Sequence, residues 1–489
     1  MARALAVLGS ASDVGKSLIA AGICRLLSDA GVRVAPYKAQ NMANQAGVTA
    51  DGKEMPRAQI LQARACRVEP HVDMGPVMMK PVSPTSAEIV VLGEPLGLRE
   101  ARAYFRDTRE LSALALGALD RLAARFDVIV LEGAGSPVEL NLMARDFVNL
   151  LPARRLGAGL VLVLDIHKGG VFAQAKGTLE LLPQQDRARV VGVVVNRFRG
   201  DPSLFDDGIP LLEAMCGAPV LGVIPHLDHG LDEEDRPLRI ALDEAPVPGK
   251  LHVGAVLSPR VSNTEDLFPL LAEGDLQLTW LTRPDLARDQ DLLVLPGSKA
   301  TLADLAQHTS SGMAAAIVDA HRRGAWVLGL CGGYQMLGGE LIDSAGSEGG
   351  PARWPGLALL PLRTEFRAAK ITELRSYCSA WPEPGHLLSG YEIHRGHSEG
   401  DGPSLVQGHG AEVGLHGERA LGCYLHGLLA CDGWRGAFLN QVRRDRGLPA
   451  RVASCASPVD LRLQRWADHV RANLRPGGWE RILEAVRGL

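Results

Sequence analysis

The feature that most constrains the fold lies near the start of the chain, where an apolar run enters a glycine-rich loop. Residues 4–9 (ALAVLG) predict a strand, and residues 17–30 predict a helix that Gly31 ends. Between them, residues 9–17 (GSASDVGKS) fit the pattern GxxxxxGKS, one residue longer than the strict phosphate-loop spacing. Backbone N–H groups and a helix N-terminus attract anions, so this unit predicts a phosphate site at the edge of an α/β sheet.

Within this loop the residue types predict how ATP and Mg²⁺ would be held. Lys16 would offset charge on a transferring phosphoryl group, and the Ser17 hydroxyl would bind Mg²⁺. Gly9, Asp13 and Gly15 complete the predicted ATP-binding loop. The alternative is a glycine-rich turn with a chance Gly-Lys-Ser. The agreement of strand, loop and helix favours the phosphate site.

The rest of the chain predicts two α/β domains. Near-continuous apolar runs, separated by helical patterns, indicate a parallel sheet covered on both faces. In the first half these runs are residues 32–38, 127–135, 159–166 and 190–198, and in the second half 251–257, 291–297 and 326–333. An acidic, proline-containing stretch over 228–250 separates the two series. We therefore predict a synthetase domain over 1–235, a second domain over 251–440 and a C-terminal helical extension over 441–489.

Composition narrows the class of protein. The net charge of −4 over 489 residues, without a Lys/Arg-rich run, argues against a nucleic-acid partner. The sequence has neither a signal-peptide pattern nor a run of about 18 apolar residues, so no membrane partner is expected. Eight cysteines without a CxxC pair favour a reducing, cytoplasmic location. The oligomeric state stays open, and a homo-oligomer is compatible with the sequence.

A second chemical motif lies at residues 329–333 (GLCGG), between an apolar run and a plausible helix start. This is a nucleophile elbow in which Cys331 is the nucleophile and the glycines relieve crowding in a strained turn. The helix N-terminus that follows would favour the thiolate, and the N–H of Gly332 would stabilise an oxyanion. A cysteine nucleophile needs a base, and His426 after a short apolar segment is the best candidate. Taken alone, a histidine in this position is more often structural, and it is the pairing with the elbow that favours His426 as the base.

The lengthened phosphate loop resembles the dethiobiotin synthetase-like branch of phosphate-loop enzymes, which also includes partition-type ATPases. That resemblance implies a synthetase domain in which Glu132, at a strand end, is a second Mg²⁺ ligand. It also implies that Lys38 contacts phosphate or substrate and that Asn196 contacts adenine. The alternatives are a solvated loop acid for Glu132 and a turn-forming role for Asn196.

The pair Cys331 and His426 resembles class I glutamine amidotransferase domains, and residues 295–301 (LPGSKAT) match their oxyanion segment. The resemblance implies that Gly297 supplies a second backbone donor. It also implies that Cys331 forms a glutamyl thioester and releases ammonia. Most such domains carry an acid two residues after the histidine, where this chain has Leu428. No residue that orients His426 is therefore predicted.

The order of the two halves resembles the cobyrinate-amidating enzymes, and among them the cobyric acid synthases of the cobalamin pathway. Five segments carry this resemblance: 35–42 (APYKAQNM), 132–137 (EGAGSP), 165–173 (DIHKGGVFA), 391–394 (YEIH) and 422–427 (GCYLHG). A GPDYIDP-like stretch, typical of cobyrinic acid a,c-diamide synthases, is absent. One departure is His167-Lys168, where the family more often has Asp-Arg.

This resemblance implies ATP- and glutamine-dependent amidation of the b, d, e and g carboxylates of adenosylcobyrinic acid a,c-diamide through acyl phosphates. Gln40, Asn41 and Asn44 would then contact the corrinoid, although hydrogen bonding within a loop is an equal alternative. Three other functions stay open: a,c-diamide synthesis, amidation of another polycarboxylate and, remotely, a partition-type ATPase switch.

Overall fold

The chain folds into two compact units. The computed structural model describes residues 2–42, 45–83, 85–100, 108–231, 240–344, 346, 348, 352–454 and 459–487. The first unit comprises Met1–Thr49, Lys53–Asp235 and Ser457–Leu489, and the second comprises Ala50–Gly52 and Arg236–Ala456.

A six-stranded parallel sheet forms the centre of the first unit. Across the sheet its strands are Val220–Pro225, Val190–Phe198, Gly159–Asp165, Arg3–Gly9, Val128–Glu132 and Val34–Tyr37. Their side chains are almost all buried because helices cover both faces. The helices before the domain boundary are Lys16–Asp29, Arg57–Ala65, Arg109–Arg125, Leu150–Arg155, Val171–Leu181, Gln184–Arg187 and Gly208–Cys216. The predicted parallel sheet with flanking helices is confirmed.

Two smaller sheets accompany the large one in the first unit. The strand Gln40–Met42 pairs in parallel with Val77–Ser83, which continues the same small sheet with two antiparallel strands, Ser86–Val91 and Glu94–Glu100. Ala46–Val48 and Glu54–Pro56 form an antiparallel pair. Short 3-10 helices lie at Val72–Met74, Met143–Arg145 and Pro202–Phe205. The first of these strands gives Gln40 and Asn41 fixed backbone positions.

The last two helices, Val459–Ala472 and Gly478–Arg487, also belong to the first unit. They share an apolar core with the helix Lys16–Asp29, and the Trp466 indole N–H donates to the carbonyl of Leu18 at 2.7 Å. Truncating a buried Trp to Ala typically destabilises a protein by about 3 to 5 kcal/mol. These helices are therefore part of the nucleotide-binding unit's core. This differs from our prediction, which made 441–489 a separate extension.

The second unit contains a seven-stranded sheet. In order, its strands are Ala241–Leu242, Leu276–Leu281, Leu251–Val256, Leu292–Leu295, Trp326–Leu330, Ala420–Cys423 and Gly414–His416. All neighbours are parallel except the last pair, which is antiparallel. Its helices are Thr301–Ser310, Met313–Arg322, Gly332–Met336 and Asp432–Asp445, with 3-10 segments at Thr264–Ala272, Pro284–Asp289 and Leu428–Ala430. This confirms the predicted second α/β domain.

A long hairpin dominates the smaller sheet of the second unit. The strands Arg363–Cys378 and Leu387–Glu399 pair antiparallel, and Glu340–Asp343 and Ala352–Pro355 extend that sheet. A separate short pair joins Val261–Ser262 to Gly297–Ser298.

Buried ion pairs fix the helix Asp432–Asp445 within the second unit. The fully buried Arg435 donates to Glu273 at 3.0 Å, and the fully buried Arg443 pairs with Asp275 at 2.9 Å. Breaking such a pair leaves an uncompensated buried charge and typically costs about 3 to 5 kcal/mol. The first residues of the predicted extension, 441–445, thus end a helix of the second unit.

Within the described ranges, no helix combines the length and apolar character that crossing a bilayer requires.

Candidate active site

The phosphate loop lies at the centre of the first sheet, between Arg3–Gly9 and the helix that begins at Lys16. Gly15 has φ 90°, a left-handed conformation that favours glycine, and a Cβ there would collide with the Asn196 amide. At Gly9 an added Cβ would lie 2.7 Å from Val14 and 2.9 Å from the Lys16 side chain. Glycine at position 15 is therefore favoured by the backbone conformation, and a side chain at position 9 would require Val14 and Lys16 to move.

Lys16 is buried and its side chain folds back over the loop. Its Nζ donates to the carbonyls of Ala11, at 2.9 Å, and Gly135, at 3.1 Å. A buried ammonium group with backbone carbonyl partners can exchange some of them for phosphate oxygens when a nucleotide binds.

Ser17, Lys38 and Glu132 form one hydrogen-bonded cluster. The Ser17 hydroxyl donates to Glu132 Oε1 at 2.7 Å, and Lys38 Nζ pairs with the same oxygen at 2.9 Å. They meet because Val34–Tyr37 and Val128–Glu132 are neighbouring parallel strands whose carboxyl ends share one edge of the sheet. The sequence predicted Lys38 and Glu132 for this edge, and the structure places them together.

The Glu132 carboxylate is buried but charged. Burial alone raises the pKa of Glu132, but the charge of Lys38 and hydrogen bonds from Lys38, Ser17 and Gln62 outweigh it. The net effect is a pKa below the usual value for a glutamic acid. An ionised carboxylate beside a serine hydroxyl is a suitable pair of donors for a hard divalent cation.

A cavity of about 420 Å³ opens beside this cluster. Eight of the predicted residues line it: Asp13, Gly15, Lys16, Ser17, Lys38, Gln40, Asn41 and Glu132. Gly9 and Asn196 are not among the lining residues, and Asn44 lies outside the described residues. Asn196 instead donates its amide N–H to the carbonyl of Val14 at 2.9 Å, which supports the loop.

Arg197 is a lining residue that the sequence analysis missed. It is buried and has φ 61°, and it donates to the Asp13 carboxylate at 3.1 Å and to Asp165 at 3.2 Å. It also donates to the backbone carbonyl of Asp13. The only available signal was its place directly after Asn196 near a strand end, and this place does not distinguish a buried arginine from an exposed one.

In the second unit, Cys331 occupies a strained turn between the strand Trp326–Leu330 and the helix Gly332–Met336. Its φ of 50° and ψ of −105° are sparsely populated for a residue with a side chain, and such strain concentrates at functional sites. A Cβ at Gly332 would lie 2.8 Å from the Ser298 nitrogen, and one at Gly333 would overlap the carbonyl of Leu295. The predicted elbow therefore has the backbone geometry that the motif requires.

The sheet order brings His426 to this elbow. Trp326–Leu330 pairs with Leu292–Leu295 on one side and with Ala420–Cys423 on the other. Residues that follow these three strands thus share one edge, where the side chains of Cys331 and His426 interact. At Gly297, the position of an added Cβ is 3.3 Å from His426 Cε1, so this glycine also lies at the elbow.

His426 is held by an acid that the sequence analysis did not identify. Its Nδ1 lies 2.7 Å from Asp266 Oδ2, and the second oxygen of Asp266 accepts from the N–H of Gly427 at 2.7 Å. Leu428, at the position where related domains carry an acid, is buried among apolar side chains. Asp266 lies on the 3-10 helix Thr264–Ala272, which follows the first long strand of the second unit.

The surroundings of His426 favour its charged form. Burial alone lowers the pKa of His426, but the carboxylate of Asp266 and the Cys331 side chain outweigh it and hold that pKa well above the usual value. The Tyr391 ring stacks on the imidazole, with centroids 5.1 Å apart, and its hydroxyl donates to Glu265 at 2.7 Å. The imidazole ring of His426 is therefore held by Tyr391, which stacks on one of its faces, and by Asp266 at Nδ1.

Comparison with known proteins agrees with both sites. Residues 5–237 match the family model described as the CobQ/CobB/MinD/ParA nucleotide binding domain. Residues 252–434 match the CobB/CobQ-like glutamine amidotransferase domain. The amidotransferase match argues against the partition-type switch, which needs no such domain.

Curated relatives named cobyric acid synthase match nearly the full chain. The relative from Chlorobaculum tepidum is 44% identical over 95% of this chain and 96% of its own length. That from Chlorobium phaeobacteroides strain BS1 is 43% identical over 97% and 98%, and that from Desulforudis audaxviator is 45% identical over 92% of each. The chain therefore belongs to the cobyric acid synthase family and is an ATP-dependent glutamine amidotransferase ligase of cobalamin biosynthesis.

Proposed function

We propose that this chain converts adenosylcobyrinic acid a,c-diamide to cobyric acid by amidating its b, d, e and g carboxylates. Each amidation consumes one ATP and one glutamine. The observation that carries the proposal is the presence, in one chain, of two sites. One is the cavity with Ser17, Lys38 and Glu132, and the other is the elbow with Cys331, His426 and Asp266.

At the first site, ATP activates the corrinoid carboxylate. A free carboxylate does not react with ammonia at neutral pH because its leaving group is poor. A carboxylate oxygen therefore attacks the γ-phosphorus, and ADP leaves. Ammonia then attacks the acyl carbon of the acyl phosphate, inorganic phosphate departs and a proton is lost to give the amide. Lys16 neutralises charge on the transferring phosphoryl group.

Ser17 and Glu132 fit a Mg²⁺ site. Mg²⁺ commonly takes only one or two protein oxygens and fills its other positions with water and phosphate oxygens. In the described part of the chain, no group of three or more His, Cys, Asp or Glu side chains is arranged to hold a metal ion. When bound, Mg²⁺ offsets negative charge on the phosphates. Lys38, which pairs with Glu132 at 2.9 Å, contacts a phosphate or the substrate.

The remaining predicted residues divide between nucleotide and corrinoid. Asp13 and Gly15 line the cavity beside Lys16. Asn196 does not line it and supports the loop through the Val14 carbonyl, and its contact with adenine rests on the family resemblance. Gln40 and Asn41 line the same cavity and bind carboxylates or side-chain amides of the corrinoid. Replacing Asn41 by Ala tests this assignment. If the Michaelis constant and the turnover for the corrinoid are unchanged, Asn41 does not belong to the substrate site.

At the second site, glutamine is hydrolysed. The Cys331 thiolate attacks the side-chain amide carbon, while the N–H groups of Gly297 and Gly332 stabilise the oxyanion. The carbon–nitrogen bond breaks, the His426 imidazolium protonates the leaving nitrogen, and ammonia and a glutamyl thioester result. Neutral His426 then takes a proton from the water that attacks the thioester, which releases glutamate and restores the thiolate.

Replacing Asp266 by Asn should lower glutamine-driven synthesis by about 10²- to 10⁴-fold, the usual contribution of a correctly protonated and oriented base. The asparagine removes the charge that raises the His426 pKa, so that pKa falls. Because the active pair needs imidazolium, the alkaline limb of the glutaminase pH profile should move to lower pH. Steady-state rates across pH, with ammonia-driven synthesis as the internal control, test this. An unshifted limb would contradict the role of Asp266.

The proposed reaction itself is tested by product mass. Purified enzyme is incubated with ATP, Mg²⁺, glutamine and, in parallel, adenosylcobyrinic acid a,c-diamide or cobyrinic acid. We expect four successive mass changes, each from a carboxyl to an amide, with the a,c-diamide. Two changes with cobyrinic acid and none with the a,c-diamide would identify an a,c-diamide synthase instead. Absence of change with both would indicate another polycarboxylate.

A further inference from the structure

The helix Arg57–Ala65 contacts Ser17 and Glu132, the proposed metal ligands, without lining the cavity. It is almost entirely buried, and none of its residues lines the cavity. Gln62, with only 1% of its surface exposed, directs its amide nitrogen at two groups of the first site. Its Nε2 donates to Glu132 Oε2 at 2.6 Å and to the backbone carbonyl of Ser17 at 3.2 Å.

These two contacts use both N–H bonds of the amide. The two oxygens of Glu132 thereby have different partners, since Oε1 accepts from Ser17 and Lys38 while Oε2 accepts from Gln62. Holding Oε2 restrains rotation of the carboxylate, so Oε1 stays directed at the Ser17 hydroxyl. The second contact ties the same amide to the first turn of the helix that carries Ser17.

The other end of the Gln62 amide makes no hydrogen bond to a described residue that would explain the orientation of the side chain. Its oxygen is buried and, among the described residues, has no hydrogen-bond partner. Leaving a buried acceptor unpaired is unfavourable. The contacts that orient the Gln62 side chain are therefore the two that its nitrogen donates. A glutamate at this position would instead repel both the Glu132 carboxylate and the Ser17 carbonyl.

We infer that Gln62 is a positioning residue that sets the Ser17–Glu132 pair for Mg²⁺, an inference that rests on the proposed metal site. Residues that orient metal ligands typically contribute about 10- to 100-fold to metal affinity. Gln62 contacts neither nucleotide nor corrinoid in this arrangement, because it lies behind the residues that line the cavity.

Gln59 provides a matched control on the same helix, one turn earlier. It is equally buried, and its oxygen accepts from the Asn41 amide at 3.0 Å instead of contacting the metal ligands. Methionine is an unbranched side chain of similar length without an N–H donor. Gln62→Met and Gln59→Met therefore remove equivalent amides with different partners.

The test measures the Mg²⁺ dependence of ATP binding by calorimetry on the full chain, without corrinoid or glutamine. Gln62→Met should need about 10- to 100-fold more Mg²⁺ for half-maximal binding. Gln59→Met should match the unsubstituted chain, and metal-free ATP binding should be unchanged in both. A purely structural role would lower the unfolding temperature of both variants alike without a shift specific to Mg²⁺. Should Gln62→Met fail to fold, Gln62→Asn, whose shorter amide cannot reach both acceptors, should give the same shift.

Glu132→Gln separates failure of this inference from failure of the metal site. If Glu132→Gln weakens the Mg²⁺ dependence and the Gln62 variants do not, Gln62 has no positioning role and the metal site stands. If Glu132→Gln also leaves the Mg²⁺ dependence unchanged, the metal-site assignment is wrong and the inference falls with it.

Discussion

Replacing Cys331 by Ser should abolish glutamine-driven amide formation and leave ammonia-driven synthesis intact. A serine hydroxyl at this elbow lacks the nucleophilicity of a thiolate paired with His426, so we expect a loss of at least about 10³-fold. The substitution keeps the size of the side chain and the strained turn that Cys331 occupies. Amide product is measured by mass with glutamine or with an ammonium salt as nitrogen source.

The matched control is Cys378→Ser, which changes an exposed cysteine of the same unit. It should retain both nitrogen sources at full rate. If glutamine-driven synthesis persists in the Cys331 variant, another group is the nucleophile. If ammonia-driven synthesis is lost as well, the substitution has damaged more than the glutaminase.

Replacing Lys16 by Ala should abolish synthesis from both nitrogen sources. Neither glutamine nor ammonia can form an amide when the carboxylate is not phosphorylated, and removal of a cation that stabilises phosphoryl transfer costs about 10³-fold or more. The loss should appear in turnover with ammonium salt, where the second unit plays no part. ADP release, followed together with amide product, reports the same step.

Lys176→Ala is the matched control for this substitution. Lys176 is half exposed and pairs with Glu180, one helical turn away, on a helix that does not line the cavity. The control should retain full activity with either nitrogen source. If ammonia-driven synthesis survives in the Lys16 variant, the phosphate loop has no role in the reaction.

The parts of the fold that the sequence predicted are those in which the signal is contiguous. The loop at residues 9–17 lies between a buried strand and a helix, and the elbow at Cys331 has the same strand–turn–helix order. In both cases the hydrophobic period and the glycines specify the local backbone without reference to distant residues. For that reason the parallel sheets and the positions of Lys16, Ser17 and Cys331 in these two turns could be predicted from the chain alone.

Asp266 and Gln62 could not be found in this way. Asp266 is 160 residues from His426, and their contact depends on the order of strands in the sheet, which a local pattern does not encode. Gln62 lies in the middle of a helix, where an amide is an ordinary residue until its partners are known. The acid that orients His426 was not predicted because related domains carry it two residues after the histidine, and in this chain that residue is Leu428, which packs in the core.

The C-terminal helices illustrate a different limit. The pattern of residues 459–472 predicts a helix with one apolar face, and the structure has that helix. An apolar face indicates that something must cover it but not which element does so. Trp466 packs on the helix that carries Ser17, far away in sequence, so only the tertiary structure identifies the partner.

That return of the chain means that the nucleotide-binding unit is discontinuous in sequence. During translation, the second unit is synthesised completely before Trp466 and Trp479, which share the core around the phosphate-loop helix of the first unit. The phosphate-loop helix therefore keeps an apolar face exposed until the two C-terminal helices that cover it have been synthesised. For the same reason a single cut between the two catalytic halves cannot separate them into intact proteins, whereas a circular permutation that joins residues 457–489 to the first half could.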